Sequence, residues 1–199
     1  MSLKFSYSII APFYDLAISA ALAGARRRAL ARLPQQPAQQ ILINGIGTGL
    51  DLPFLPGAHR YTGLDLTRAM LVRARPRLGN LDIALVQGDS QNLPFADGSF
   101  DIALLHLILA IVPDPARALR ETARVLRPGG RVLVMDKFLR RGKRALLRKA
   151  LSPLVARIAT RLDVIFEDVA AKSPELEITR DEPLLAGGWF RSIEMVKRG

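Results

Sequence analysis

The sequence of 199 residues contains no cysteine and only two histidines, so it lacks the side chains that build most structural metal sites. Disulfide bonds and thiolate ligands are excluded. The two histidines, His59 and His106, lie far apart in the chain. We therefore predict no metal centre.

Long apolar runs are also missing, although 49% of the residues are hydrophobic. A helix that spans a bilayer needs about 20 consecutive apolar residues, and no uninterrupted run approaches that length. The N-terminus lacks the charged, apolar and cleavage regions of a signal peptide. These features predict a cytoplasmic protein with a single domain over residues 1–199.

Acidic residues are scarce, with 18 Asp and Glu against 29 Lys and Arg and a formal net charge of +11. Such an excess favours anionic partners, or it gives a solvated surface that keeps the protein soluble. Residues 137–161 contain nine Lys or Arg and no acid, interleaved with apolar residues at helical spacing. We interpret this basic segment as a helix or helix pair that packs on a sheet, with an anionic membrane surface as the functional alternative.

An apolar run ends at residues 41–49 in three alternating glycines, Gly45, Gly47 and Gly49. Glycine adopts positive φ and lets a ligand approach the backbone, so the run predicts a buried strand followed by a ligand-binding loop. A closely packed turn is the alternative. Leu50 stands where a dinucleotide fingerprint has its third glycine, so an NAD-type site fits poorly.

Acidic residues follow the next two predicted strands. Asp65 lies twenty residues beyond Gly45, where nucleotide-binding α/β domains place an acid that binds the ribose hydroxyls. Its alternative role is to cap the next helix, which Thr67 could also do. Asp89 is a candidate to accept a hydrogen bond from an adenine amine, or a turn residue that caps its own backbone.

Strands alternate with helices along the chain. After the strand that precedes Gly45, further strands are predicted at 60–66, 81–86, 102–109, 131–135, 176–182 and 189–197. Helices are predicted at 3–33 with a break at Pro12, at 67–77 and at 116–126. The expected fold is a Rossmann-like, seven-stranded, mostly parallel sheet with an antiparallel last strand and helices on both faces. We expect an N-terminal helical lid or cap (1–37), a cofactor-binding core (38–136), and a basic helical segment with the final two strands (137–199).

The motifs in this order resemble those of the class I S-adenosylmethionine-dependent methyltransferases, over roughly residues 41–136. The matching motifs are Gly45-Ile46-Gly47-Thr48-Gly49, Gly63-Leu64-Asp65, Gly88-Asp89, Leu93-Pro94-Phe95, Ser99-Phe100-Asp101 and Leu126-Arg127-Pro128-Gly129-Gly130. Within that class, the chain is most similar to bacterial phospholipid N-methyltransferases and, more distantly, to quinone-biosynthesis C-methyltransferases. This similarity rests on Tyr14-Asp15 with the arginines that follow, on residues 47–53, on Val112-Pro113-Asp114-Pro115 and on the basic segment.

The resemblance implies an enzyme of lipid metabolism that transfers a methyl group from S-adenosylmethionine to a small or lipid-like acceptor, such as a phospholipid amine, and releases S-adenosylhomocysteine. It also implies peripheral contact with an anionic membrane, at the inner membrane surface. The alternatives are a cofactor-binding protein of the same fold without catalysis and an RNA methyltransferase. Nucleic acid is disfavoured, because the Asn-Pro-Pro-Tyr type motif of nucleic-acid amino-methyltransferases is missing after strand four.

The resemblance also assigns site residues. The expected cofactor-binding residues are Asn44, Gly45, Ile46, Gly47, Gly49, Asp65, Leu66, Asp89, Ser90, Gln91 and His106. The glycines are expected at the methionine part of the cofactor, Asp65 at the ribose, and the residues around Asp89 at the adenine. His106 is the candidate general base, since histidine exchanges protons near neutral pH, with a hydrogen-bonded core residue or pocket wall as the alternative. Ile43 replaces an acid that is usual in relatives, so a polar contact that supports the cofactor loop there is expected to be absent or to come from another residue.

Overall fold

The computed structural model describes residues 22–35, 37–139, 164–185 and 188–199. The expected N-terminal helix before residue 22 and the basic segment from residue 140 to residue 161 lie outside this part. The strands are β1 (Gln40–Asn44), β2 (Arg60–Asp65), β3 (Asp82–Gln87), β4 (Phe100–His106), β5 (Leu126–Lys137), β6 (Leu176–Leu185) and β7 (Phe190–Lys197). The helices are α1 (22–30), α2 (Arg68–Ala74), α3 (Pro115–Val125) and α4 (Phe166–Ala170), with 3-10 turns at Leu52–Phe54 and Arg75–Arg77.

The strands form one sheet in the order β3-β2-β1-β4-β5-β7-β6. Strands β1 to β5 pair in parallel, whereas β7 is antiparallel to both of its neighbours, β5 and β6. The predicted architecture is confirmed. The strand order reverses between β1 and β4, and the carboxyl ends of the strands on either side of such a point border a ligand-binding crevice.

Side chains alternate between the two faces of each buried strand, and the apolar side chains on both faces pack against helices. Ile41 and Ile43 of β1 pack with α2 and the end of α1. Leu42 lies on the other face, in a larger cluster with α3 and α4. No helix among the described residues is long and apolar enough to cross a membrane.

Several strand boundaries differ from the prediction, and the structure gives a reason for two of them. Strand β4 ends at His106 instead of Leu109, because Leu107 has a left-handed backbone with φ 59° that breaks the extended conformation. Strand β5 begins at Leu126, directly after α3, so residues 127–130 belong to the strand instead of only stopping the helix. The register between β4 and β5 shifts between Phe100 and Ile102. This shift accommodates residues 127–130 of β5, which include Gly129 and Gly130.

The predicted start of α3 is confirmed in detail. Asp114 is the N-cap, and its carboxylate accepts a hydrogen bond from the Arg117 amide at 3.0 Å. Pro115 follows at the first helical position, where its missing N–H is not needed. Helix α3 therefore begins where the sequence places it.

Candidate functional site

The three glycines of the loop after β1 all have positive φ, at 83°, 55° and 80°. A Cβ on Gly45 would lie 2.7 Å from Ile108 Cδ1, and one on Gly49 would lie 2.7 Å from Leu52 Cδ1. A Cβ on Gly47 would meet nothing within 4 Å. The outer glycines are therefore needed for packing, and the middle one faces open space.

Two side chains from outside the loop hold it in place. The Gly47 amide donates to Asp65 Oδ2 at 3.0 Å, and Arg77 Nη1 donates to the Thr48 carbonyl oxygen at 2.8 Å. Ile43 is buried in the apolar layer beneath α1 and α2. Of the two alternatives, support from other residues is what the structure has: polar contacts reach the loop from the end of β2 and from the turn after α2.

Asp65 lies at the end of β2 and is bonded on both carboxylate oxygens. Oδ1 accepts from the Thr67 amide at 2.9 Å and from the Thr67 hydroxyl at 3.2 Å. Thr67, not Asp65, is the N-cap of α2, since its hydroxyl accepts from the Met70 amide. Burial raises the pKa of Asp65, and the amides of Thr67 and Gly47 oppose part of that rise.

The loop after β3 is a tight turn around Asp89. Oδ1 of Asp89 accepts from the Gln91 amide at 2.8 Å, the backbone-capping role considered above. Gln91 in turn accepts from the Asp114 amide through Oε1 at 2.9 Å, which ties the turn to the start of α3. Ser90 is buried, whereas Leu66 beyond the end of β2 is 44% exposed and leaves an apolar side chain open to a ligand.

Asn44 and Ile46 flank the first glycine, and both side chains are buried. Asn44 Nδ2 donates to Thr122 Oγ1 of α3 at 3.2 Å. Within the described part of the chain, Asn44 Oδ1 has no hydrogen-bond partner. Asn44 therefore links β1 to α3 and retains one unused buried acceptor next to the loop.

His106 is the last residue of β4, on the same face as Ile102 and Leu104. Its side chain is only 1% exposed, and its Nδ1 lies 3.1 Å from Asp51 Oδ2. The two atoms are at ion-pair distance, but the imidazole nitrogen is not aligned for a hydrogen bond to the carboxylate. Asp51 follows the glycine loop, so the structure places His106 beside that loop.

Asp51 is also paired with Arg26 of α1, whose Nη1 lies 2.7 Å from Asp51 Oδ1. Burial alone would raise the pKa of Asp51, but the neighbouring His106 imidazole and Arg26 guanidinium hold that pKa well below its usual range. We did not predict this buried group from the sequence. Asp51 stands in the glycine motif and Arg26 in an arginine run, but no local spacing signals contacts across 25 and 55 residues.

The other histidine has a structural role. His59 Nδ1 accepts from the Gln39 amide at 3.2 Å, and Nε2 lies 2.6 Å from the Pro34 carbonyl oxygen. This arrangement fixes the linker before β1 against the start of β2. Across the described ranges, no group of three His, Asp or Glu side chains comes together as a metal site.

A fully buried carboxylate, Asp136, lies near the end of β5. Oδ2 accepts from the Ala110 amide at 3.0 Å and Oδ1 from the Lys137 amide at 2.8 Å, so it fixes the loop after β4. Burial raises the pKa of Asp136 to about 6, against 3.8 for an ordinary aspartate. Because its pKa is higher in the folded than in the unfolded chain, its favourable contribution is complete below pH 3.8 and is lost as the pH rises through 6.

We expect Asp136→Asn to remove this pH dependence. The wild-type free energy of unfolding, relative to the variant, should fall by about 2 kcal/mol between pH 4 and pH 7, since one pKa unit corresponds to about 1.4 kcal/mol and part of the effect is already lost at pH 4. Urea unfolding at several pH values measures both proteins. The lost hydrogen bond lowers the variant's stability equally at every pH, so only the difference in slope matters. Parallel curves would contradict the assignment.

The structure brings the predicted site residues to one edge of the sheet. Asn44 ends β1 and residues 45–49 follow it. Asp65 ends β2 and Leu66 follows it, residues 89–91 come after β3, and His106 ends β4. Gly88 donates its amide to the Asp65 carbonyl oxygen at 3.0 Å, which joins the second and third of these segments. The four segments therefore lie at one edge of the sheet, where the reversal of strand order predicts a ligand-binding crevice.

Comparisons with known proteins agree with this geometry. Residues 42–134 match the family described as "Methyltransferase domain". The phosphatidylethanolamine N-methyltransferase of Cereibacter sphaeroides is 32% identical over 190 residues, which cover 93% of each chain. The ubiquinone/menaquinone biosynthesis C-methyltransferase of Bdellovibrio bacteriovorus is 37% identical over 102 residues, which cover 49% of this chain and 43% of that protein.

The fold is shared with solved structures at lower identity. A methyltransferase from Thermotoga maritima, described as S-adenosylmethionine-dependent, superimposes with a TM-score of 0.74 at 21% identity, over 98% of this chain and 100% of that one. The fold and the full-length sequence similarity thus agree with the motif series. The chain belongs to the S-adenosylmethionine-dependent methyltransferases.

Proposed function

We propose that the protein methylates the primary amine of a phospholipid headgroup, as in phosphatidylethanolamine. The observation that carries this proposal is the similarity to a phosphatidylethanolamine N-methyltransferase over 93% of both chains. Matches to quinone C-methyltransferases are confined to about half of this chain. A relative that is similar through the N-terminal and C-terminal parts is the better guide to the acceptor, because these parts lie outside the common cofactor-binding core.

The crevice residues suit the cofactor in its expected orientation. The open side of Gly47 gives a backbone surface for the methionine part, near the unused acceptor of Asn44. Asp65 is a partly buried carboxylate whose pKa is raised by burial, and two ribose hydroxyls would add donors to it. Exposed Leu66 offers an apolar contact to the adenine, with Asp89, Ser90 and Gln91 at its polar edge.

When bound, S-adenosylmethionine supplies a methyl group that its sulfonium already activates. The residues of this chain therefore have to bind and align the acceptor, exclude water and remove a proton from the amine. His106 is the candidate base, because it ends β4 beside the glycine loop and is shielded from solvent. An ammonium has no lone pair, so the amine must lose a proton before it can accept a methyl group.

The positive charge supports contact with an anionic membrane at the cytoplasmic surface. Residues 137–161 contain nine Lys or Arg and no Asp or Glu, and such a run of positive charge attracts anionic lipid.

A methyl-transfer assay with radiolabelled S-adenosylmethionine tests the acceptor. Separate reactions contain phosphatidylethanolamine vesicles, a demethylated quinone and total RNA. We expect label in the phospholipid headgroup and none in the quinone or the RNA. Label in the quinone or the RNA alone, or no label in any acceptor by folded protein that binds the cofactor, would overturn the proposal.

Co-sedimentation with vesicles tests the membrane contact. We expect binding to vesicles that contain phosphatidylglycerol, weak binding to pure phosphatidylcholine, and release in about 1 M salt, where charges are screened within about 3 Å. The matched variant replaces Arg140, Arg141, Lys143 and Arg144 by Gln and should lose the preference for anionic vesicles. Equal binding to both kinds of vesicle would exclude the electrostatic contact.

A further inference from the structure

Three charged or titratable side chains from distant parts of the chain form a buried row beneath the glycine loop. Arg26 Nη1 lies 2.7 Å from one oxygen of Asp51, and His106 Nδ1 lies 3.1 Å from the other. The side chains of all three residues are less than 10% exposed. Burying such groups is costly unless they are paired, so the row calls for an explanation beyond packing.

The contact with Asp51 determines which nitrogen of His106 carries the proton. The low pKa of Asp51 means that its carboxylate is ionised and has no proton to donate. A bare Nδ1 lone pair 3.1 Å from that carboxylate would be repelled, so Nδ1 carries the hydrogen. Nε2 is then the basic atom of the ring. Both ring nitrogens are buried, and neither has an aligned hydrogen-bond partner among the residues that the structure describes.

Arg26 connects this pair to the helical cap. Helix α1 packs over the ends of β4 and β5 through Leu22, Ala25 and Ala29, which contact Met135 and Leu107. Met135 is the pairing partner of His106, whereas the next residue, Asp136, lies on the opposite face of the sheet and is bonded to backbone amides. The packing of α1 on these strand ends places the Arg26 guanidinium against the Asp51 carboxylate.

We propose that Asp51 and Arg26 are positioning residues, which hold His106 protonated on Nδ1 and present Nε2 as the base for the acceptor. This proposal rests on the proposed function for the identity of the acceptor only. One proton moves from the acceptor ammonium to Nε2, and the nitrogen keeps the electron pair of the broken N–H bond. The imidazolium is stabilised by the Asp51 carboxylate and later returns the proton to water.

The tautomers of the two histidines test the positioning without any acceptor. In long-range ¹H–¹⁵N spectra of histidine-labelled protein, His106 is expected to be protonated on Nδ1. His59 is an internal reference with the opposite tautomer, because its Nδ1 accepts from a backbone amide. Asp51→Asn should remove the Nδ1–H preference of His106 and leave His59 unchanged. A wild-type ring protonated on Nε2, or a tautomer that Asp51→Asn does not alter, overturns the proposal.

Kinetics test the catalytic consequence, with the acceptor that the wild type methylates in the assay above. We expect His106→Gln to lower kcat about 10²-fold and Asp51→Asn about 10-fold, with the cofactor Kd of Asp51→Asn within twofold of wild type. In the His106→Gln background, Asp51→Asn should have no further effect. Glu194→Gln is the control, since it also turns an arginine-paired carboxylate into an amide, in β7 and away from the residues that follow β1 to β4. Independent, additive losses of kcat, or an unchanged kcat in either single variant, would contradict the positioning of His106 by Asp51.

A double variant controls for misfolding of Asp51→Asn. Asp51→Asn leaves the Arg26 charge buried without its partner, so Arg26→Met/Asp51→Asn is prepared in parallel and must show the same change of tautomer. The two proposals fail separately. The expected tautomers without methylation of phosphatidylethanolamine would refute the acceptor and leave the positioning intact, whereas the wrong tautomer in an enzyme that methylates this lipid would refute only the positioning.

Discussion

Asp65→Asn is expected to weaken S-adenosylmethionine binding by about 10²-fold or more. A hydrogen bond to a charged group contributes roughly 1.5–3 kcal/mol, two ribose hydroxyls would donate to this carboxylate, and about 1.4 kcal/mol corresponds to a factor of ten. The amide also turns an NH₂ group toward the N–H of either Gly47 or Thr67, which loosens the glycine loop. Isothermal titration calorimetry measures the affinity directly.

Asp101→Asn is the matched control for this experiment. Asp101 also accepts a backbone hydrogen bond, from the Gln40 amide at 2.8 Å, and pairs with Arg127, but it lies at the opposite edge of the sheet. We expect a modest loss of stability and unchanged cofactor affinity. Equal affinity losses in both variants would show that Asp65 acts through the general integrity of the sheet. Wild-type affinity in Asp65→Asn would remove it from the binding site.

Alanine at the first and second glycines of the loop should have different main effects, the first on stability and the second on cofactor affinity. Gly45→Ala is expected to destabilise the fold by roughly 2–5 kcal/mol, because the positive φ costs about 1–2 kcal/mol and overpacking against Ile108 about 1–3 kcal/mol. Gly47→Ala has only the backbone cost, about 1–2 kcal/mol, since its Cβ meets nothing within 4 Å. Its methyl group would instead occupy the surface offered to the cofactor and weaken binding at least about tenfold.

Chemical unfolding and calorimetry on the same two variants separate these effects. Gly45→Ala should lose stability, and Gly47→Ala should remain well folded and lose affinity. A Gly47→Ala protein that binds S-adenosylmethionine as the wild type does would show that the open side of Gly47 is not a cofactor surface. Similar stability losses in the two variants would contradict the packing difference between them.

Much of the fold was predictable because local signals and the global pattern agree. The element order and the parallel core follow from the apolar runs, from the Asp114-Pro115 helix start and from the glycines at the ends of strands and helices. The boundaries at Leu107 and Leu126 were missed. A left-handed leucine is stabilised by its tertiary surroundings, and a strand that contains Pro128 and two glycines is held by its neighbour in the sheet.

The chain by itself determined the class of the protein, since the glycine loop, Asp65 and Asp89 come in order after successive strands, and the carboxyl ends of parallel strands meet at one edge. Only the tertiary structure decided how the site is supported and which residues adjoin His106. Asp51, Arg26 and Arg77 reach the loop region from separate elements. Such contacts depend on how α1 and α2 pack on the sheet, and packing directions are set by the whole core, not by residues close in sequence.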